Sequence, residues 1–112
     1  MATALASEVR HIQQVSGLSA RDIAKATNVD ESTVRSWLRQ DRSPSGERAD
    51  RLVELSAMVE RLSNLLDRDY IAVWMNKPIP SLEDDKPLEV IAAGEYRRVS
   101  RVIASLEDPG AS

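Results

Sequence analysis

The chain has no cysteine among its 112 residues. Disulfides and thiolate-bound zinc are thereby excluded, and a reducing cytoplasm is the expected setting. Phenylalanine is absent too, and two Trp and two Tyr are the whole aromatic complement. The core must therefore be built mainly from Leu, Val, Ile and Ala, a palette that favours helices packed on helices. No apolar run approaches the ~20 residues that a membrane-spanning helix needs. Residues 1–7 lack both a basic start and a long apolar stretch, so no signal peptide is read there. The single histidine, His11, stands far in sequence from any acidic cluster and is expected at the surface or its boundary. No catalytic constellation is found, so the sequence predicts a binding protein and no enzyme, with no cofactor and no metal.

What is present is a globular balance: 42% hydrophobic and 29% charged residues, unlike a disordered chain. The length suits one compact unit or two small modules sharing a core. The net charge of −3 argues at first against nucleic acid. Its distribution matters more. Residues 1–66 carry nine Lys/Arg and nine Asp/Glu, whereas residues 67–112 carry six and nine and supply the whole deficit.

Apolar spacing predicts a first helix over 3–15, with Leu5, Val9, Ile12 and Val15 on one face. Gly17 suits a left-handed C-terminal position. Ser19 stands as an N-cap with Asp22 three residues on, a variant of the capping box, which opens a second helix over 20–27 burying Ile23 and Ala24. Residues 27–29 read as a tight turn, because Asn28 tolerates positive φ. Asp30 caps a third helix over 31–40 with Val34, Trp37 and Leu38 inward. After a turn-rich break at 41–46, a long helix over 47–66 carries Ala49, Leu52, Val53, Leu55, Val59, Leu62, Leu65 and Leu66. So wide an apolar arc predicts burial on two sides. Residues 69–75 form a short helix with Tyr70, Val73 and Trp74. Residues 76–80 are extended because residues preceding proline avoid the helical region. Ser81 caps one turn, Pro87 opens a helix that Gly94 closes, and 95–106 is the last helix, with Val99, Val102, Ile103 and Leu106 inward. Residues 109–112 should fray.

Residues 18–38 carry the strongest signal. Two short helices joined by a tight turn cross steeply only with a small residue at the crossing, a turn residue tolerant of unusual φ, and a branched apolar residue packing back. Ala24, Asn28 and Val34 meet these needs. Such a unit holds its second helix outward to enter a major groove. The outward residues there are Ser32, Thr33, Arg35, Ser36 and Arg39, hydroxyls and long cations that reach base edges and phosphates. Arg42 and Ser43 just beyond, and Arg21 and Lys25 on the preceding helix, can grip the backbone. The alternative is a generic three-helix core with solvated faces. Asp41, Glu47 and Asp50 blunt phosphate attraction, so a single copy should bind weakly and gain affinity on paired half-sites.

In the second half, Glu83, Asp84 and Asp85 lack cation-ligand spacing and read as a solvated loop. Trp74 and Tyr96 read as core packing, or as anchors for a protein partner. The order Trp74-Met75, a proline-bearing strap, Lys86-Pro87-Leu88, then Gly94-Glu95-Tyr96-Arg97-Arg98-Val99 resembles the C-terminal domain of Xre/MbcA/ParS-type antitoxins, whose members also begin with an Xre-like helix-turn-helix. The usual glycine of that turn is Asn28 here, which can adopt the conformation at small cost.

The resemblance implies an all-α fold: a helix-turn-helix region over 1–45, a connecting helix over 46–66, a toxin-binding domain over 67–108 and a tail over 109–112. It implies a RES-domain toxin partner that destroys NAD, an antitoxin that covers that toxin's active site, and repression of the shared operon. By position, Trp74, Gly94, Glu95, Tyr96, Arg97 and Arg98 become candidate toxin contacts, with the acidic surplus of this half set against a basic toxin cleft. A homo-oligomer and a larger toxin–antitoxin assembly are expected, with operator DNA as the other partner and no membrane. The competing readings are a stand-alone helix-turn-helix repressor with a C-terminal dimerisation domain, and a pure interaction protein with a vestigial DNA-binding fold.

Overall fold

The cap read at Ser19 forms in full. Its hydroxyl accepts from the Asp22 amide at 3.0 Å while the Asp22 carboxylate accepts from the Ser19 amide at 3.0 Å. Two otherwise unsatisfied donors at the helix start are thus met. In the computed structural model, which describes residues 4–111, this cap opens the second of seven α-helices found among those residues: α1 (Ala4–Ser16), α2 (Ala20–Thr27), α3 (Glu31–Leu38), α4 (Gly46–Ser63), α5 (Arg68–Met75), α6 (Pro87–Ala92) and α7 (Tyr96–Glu107). No strand occurs among the described residues. Thr3, expected to open α1, and Ser112 of the tail lie outside them, while Pro109–Ala111 make a single 3-10 turn.

Helix ends follow from local chemistry. Asn28 sits at φ 59° and ψ 44°, left-handed as its residue type allows. The amides of Asn28 and Val29 fold back onto the carbonyls of Lys25 and Ala24 at 3.4 and 3.0 Å. This double closure consumes two orphan carbonyls of α2. The same closure ends α3 two residues earlier than its sequence spacing suggests. Gln40 turns left-handed (φ 64°) and the Gln40 and Asp41 amides bond Trp37 and Ser36. Asp30 marks the start of α3 as read, although its side chain makes no cap bond. The long helix also stops short, at Ser63, because the Leu65 and Leu66 amides both turn back to Leu62 so that α5 can begin.

The core is shared by every helix. Val9, Ile12, Ile23, Val34, Trp37, Leu52, Leu55, Leu62, Ile71, Met75, Leu88, Ile91, Val99 and Ile103 belong to one buried cluster. Each such side chain contributes roughly 1.5–3 kcal/mol by leaving water. Helix α4 packs on α1 and α2 and also on α5, α6 and α7, so the expected two-sided burial is seen. Its arc is not wholly interior, however: Val53 is 52% exposed and Leu65 37%. Val53 lines a shallow surface hollow beside Leu5 and Glu8 of α1, and Leu65 lies in the reversal after α4. Helix α2 lies against both α3 and α6, so the α2–α3 pair and the C-terminal helices rest on one another directly. The strap between α5 and α6 makes a 3-10 turn at Pro80–Leu82, and the Ile79 amide bonds the Asp85 carbonyl at 3.2 Å. Glu83, Asp84 and Asp85 ride on this closed loop, exposed to solvent.

Candidate nucleic-acid interface and partner surface

Val34 and Trp37 anchor α3 in the core at 0% and 2% exposure. The opposite face is therefore turned outward: Ser32, Arg35 and Arg39 are exposed and Thr33 and Ser36 half-buried. Both arginines are already paired. Arg35 bonds the Glu31 carboxylate one turn back, while Arg39 holds Asp41 at 2.9 Å and the Ser36 hydroxyl at 3.3 Å. Exposed pairs of this kind stabilise little, yet they leave the outer face of α3 close to neutral. Arg42 makes no ion pair among the described residues and lines, with Thr33 and Arg48, a hollow of about 240 Å³ at the start of α3. Arg48, on the first turn of α4, was not singled out from sequence. Nothing in its local pattern separates it from an ordinary exposed helix charge. Arg21 and Lys25 are exposed on α2.

The α2–α3 turn is tied to the other half. The Asn28 amide group donates to the Ala92 carbonyl at the end of α6, at 2.7 Å. Beside it, Arg51 of α4 pairs with Glu47 at 3.0 Å and Glu54 at 3.5 Å. Its guanidinium lies under Gly94, where a Cβ would stand 2.7 Å from Nη2. Gly94 is thus favoured by its φ of +85°, and a side chain there would also have to displace the tip of Arg51. The Arg51 Nε and Glu54 Oε2 atoms are buried there without a hydrogen-bond partner among the described residues. Burial pushes the Glu54 carboxyl above its ordinary value, against the pull of the Arg51 guanidinium.

The second group of candidates divides. Gly94, Glu95, Tyr96, Arg97 and Arg98 converge with Arg101 around a hollow of about 420 Å³. Gly94, Glu95 and Arg97 are exposed there, and Tyr96 and Arg98 half-buried. Trp74 does not join that hollow. It is 7% exposed on α5 and presents its remaining edge to a neighbouring groove on the other side of Arg98 and Arg101. Arg101 was missed from sequence, although its position three and four residues after Arg98 and Arg97 puts it on the same helix face. The acidic surplus of this half is not on this surface. Three arginines stand here against Glu95, and the acidic side chains of 83–85 lie on the strap loop.

Two short helices joined by a tight left-handed turn, the second with an outward face, set on a shared helical core, define a helix-turn-helix protein. Comparison with known proteins agrees. A Helix-turn-helix family model matches residues 16–55. The mycobacterial cidal antitoxin MbcA of Mycobacterium bovis, and that of Mycobacterium tuberculosis, are 30% identical over 104 residues, covering 93% of this chain and 92% of theirs. A probable mycobacterial cidal antitoxin of M. tuberculosis is 29% identical over 92% of this chain and 88% of its own. In the crystal structure of the M. tuberculosis MbcT–MbcA toxin–antitoxin complex, one chain superposes with a TM-score of 0.85 at 28% identity, covering 98% of this chain and 99% of that one. The chain belongs to the Xre/MbcA-type antitoxin family. Its members are antitoxins with a helix-turn-helix and not enzymes.

Proposed function

We propose that this chain is the antitoxin of a RES-domain toxin that degrades NAD. It blocks the toxin's active site with the surface around 94–98 and represses its own operon through α3, in the cytoplasm and as part of a homo-oligomeric toxin–antitoxin assembly. The observation that carries this reading is the match of the whole chain, both halves together, to a chain of the MbcT–MbcA complex. The outward face of α3, anchored by Val34 and Trp37, supports the DNA half of the reading. The convergence of Gly94, Glu95, Tyr96, Arg97 and Arg98 on one hollow supports the partner half.

A neighbouring gene should encode a RES-domain protein, and the test is co-expression with it. The antitoxin should rescue growth, and arrest that persists despite good antitoxin expression rejects the reading. Changing Arg35 and Arg39 to Ala frees the Glu31 and Asp41 carboxylates to repel phosphate. It should abolish the shift of promoter DNA and leave toxin protection intact. Tyr96→Asp should weaken the toxin complex without touching the DNA shift. Loss of both activities in either variant means that the two surfaces have been misassigned.

A further inference from the structure

Between α5, the strap and α7 runs an open groove of about 480 Å³. Its floor is apolar, formed by the edge of Trp74, by Ile79, and by Val102 and Leu106 of α7. Leu106 is 42% exposed, although its place on the amphipathic face of α7 marks it for burial. Its rim is cationic. Arg98 spends its bonds on the Leu82 carbonyl at 3.3 Å and on Glu95 at a long 3.5 Å. Arg101 is exposed and makes no ion pair among the described residues. No carboxylate lines the groove. A half that is acidic in total thus offers here two guanidiniums over an aliphatic and indole floor.

We infer that this groove seats an acidic segment of the partner toxin, an apolar side chain over Trp74 and Leu106 with a carboxylate in the fork of Arg101. The inference rests on the antitoxin reading and adds the chemistry of the contact. Three observations select this occupant. The guanidiniums call for an anion, and an arginine fork takes a carboxylate through two parallel bonds. The floor calls for an apolar anchor, since an open hollow of this size holds one or two side chains. The groove is also continuous with the surface around 94–98, because Arg98 and Arg101 line both hollows. A cationic rim also makes the toxin's approach depend on ionic strength, which an apolar contact alone does not do.

The experiment measures affinity for the RES-domain toxin that the proposed function implies, by calorimetry at low and high salt, with full-length wild type, Arg101→Glu, Arg101→Lys and Leu106→Ala. Both sites are exposed, and thermal melts together with the promoter shift report that each variant is folded. Arg101→Glu should weaken the complex at least tenfold and flatten its salt dependence. Arg101→Lys, which keeps the charge and loses the fork, should weaken it a few fold, and Leu106→Ala should weaken it several fold. Affinities within twofold of wild type for both Arg101→Glu and Leu106→Ala overturn the groove while leaving the antitoxin reading standing. A changed mass of the free protein in Arg101→Glu, with toxin affinity intact, assigns the groove to a second copy and overturns it too. Failure of the wild type to bind the toxin rejects the antitoxin reading itself, and the groove with it.

Discussion

Asn28 joins the two halves of the molecule and offers the sharpest test of how the fold is held. Its backbone is left-handed, a conformation that costs an ordinary L-residue about 1–2 kcal/mol and asparagine less. Its side chain donates to the Ala92 carbonyl at 2.7 Å. A hydrogen bond contributes about 0.5–1.5 kcal/mol net, and the exposure of this pair places it near the lower end. Asn28→Gly keeps the permissive backbone and loses only the bond, so it should cost about 0.5–1 kcal/mol. Asn28→Ala loses the bond and brings the full strain of the left-handed turn, for a total of about 2 kcal/mol. In a chain of this size that is a fall in melting temperature of about 8 °C. Urea unfolding of the three proteins reads both terms, because the Ala–Gly gap isolates the backbone and the Gly–wild-type gap isolates the bond. Equal midpoints for the Ala and Gly variants refute the left-handed turn. A glycine variant as stable as wild type refutes the tie to α6.

Ala24 is 5% exposed and sits in the cluster that holds Val34 and Trp37, so Ala24→Leu overpacks the α2–α3 crossing at a cost of about 1–3 kcal/mol and should weaken the promoter shift in parallel with the urea midpoint. His11 is raised above its ordinary value mainly by its hydrogen bond to Glu60 at 2.5 Å. The α1–α4 tie it makes is therefore complete below the ordinary histidine value and lost as pH rises through the raised one, so the urea midpoint should fall across neutral pH in wild type and stay flatter in His11→Asn. Glu107 is held below its ordinary value mainly by its hydrogen bond from Arg61, which also reaches the Ser100 hydroxyl at 2.7 Å. That contribution is present above the ordinary carboxyl value and disappears as pH falls through the lowered one, so Glu107→Gln should flatten the acid limb of the stability curve.

The parts legible in sequence were those whose cause is local. The Ser19–Asp22 cap, the left-handed Asn28, the proline opening α6 and the glycine closing it each follow from one residue's own chemistry, and each appears where it was read. The end of α3 was not legible because Gln40 is no turn former. It turns left-handed because Trp37 and Ser36 offer their carbonyls once Trp37 is locked in the core. The exposure of Val53 and Leu106 was not legible because apolar spacing tells which face is greasy and not which part of it a neighbour covers. Arg51 was missed for a stronger reason. Its place under Gly94, with Nε buried and unpartnered, depends on α6 and α7 folding back across α4 from more than thirty residues away, and no window around residue 51 contains that approach. Residue types and order sufficed to bring Gly94, Glu95, Tyr96, Arg97 and Arg98 to notice. The separation of Trp74 from them, and the addition of Arg101, needed the placement of α5, the strap and α7 around one groove.

The charge arrangement around α3 sets how this protein should respond to salt if α3 reads DNA. Arg35 and Arg39 each face a carboxylate of their own segment. To touch a base edge, each must exchange that partner for a guanine, and a sequence without the guanine offers nothing in return. Around α3, Arg21, Lys25, Arg42 and Arg48 make no ion pair among the described residues, whereas Arg10, also without one, is held by the Leu38 carbonyl at 2.8 Å. These four are the ones free to displace counterions from phosphate. At about 0.9 per neutralised phosphate, the slope of log K against log salt should lie near −3.6 per bound copy. If Arg35 and Arg39 served as further phosphate contacts, it would lie near −5.4. Titrating a labelled promoter fragment at several salt concentrations separates the two values. Glu31→Gln moves the wild type toward the steeper one, because it releases Arg35 to any phosphate within reach, and it raises affinity for unrelated duplexes more than for the promoter. A wild-type slope already near −5.4, unchanged by Glu31→Gln, would show that the carboxylates on and beside α3 do nothing to hold its arginines back for the bases.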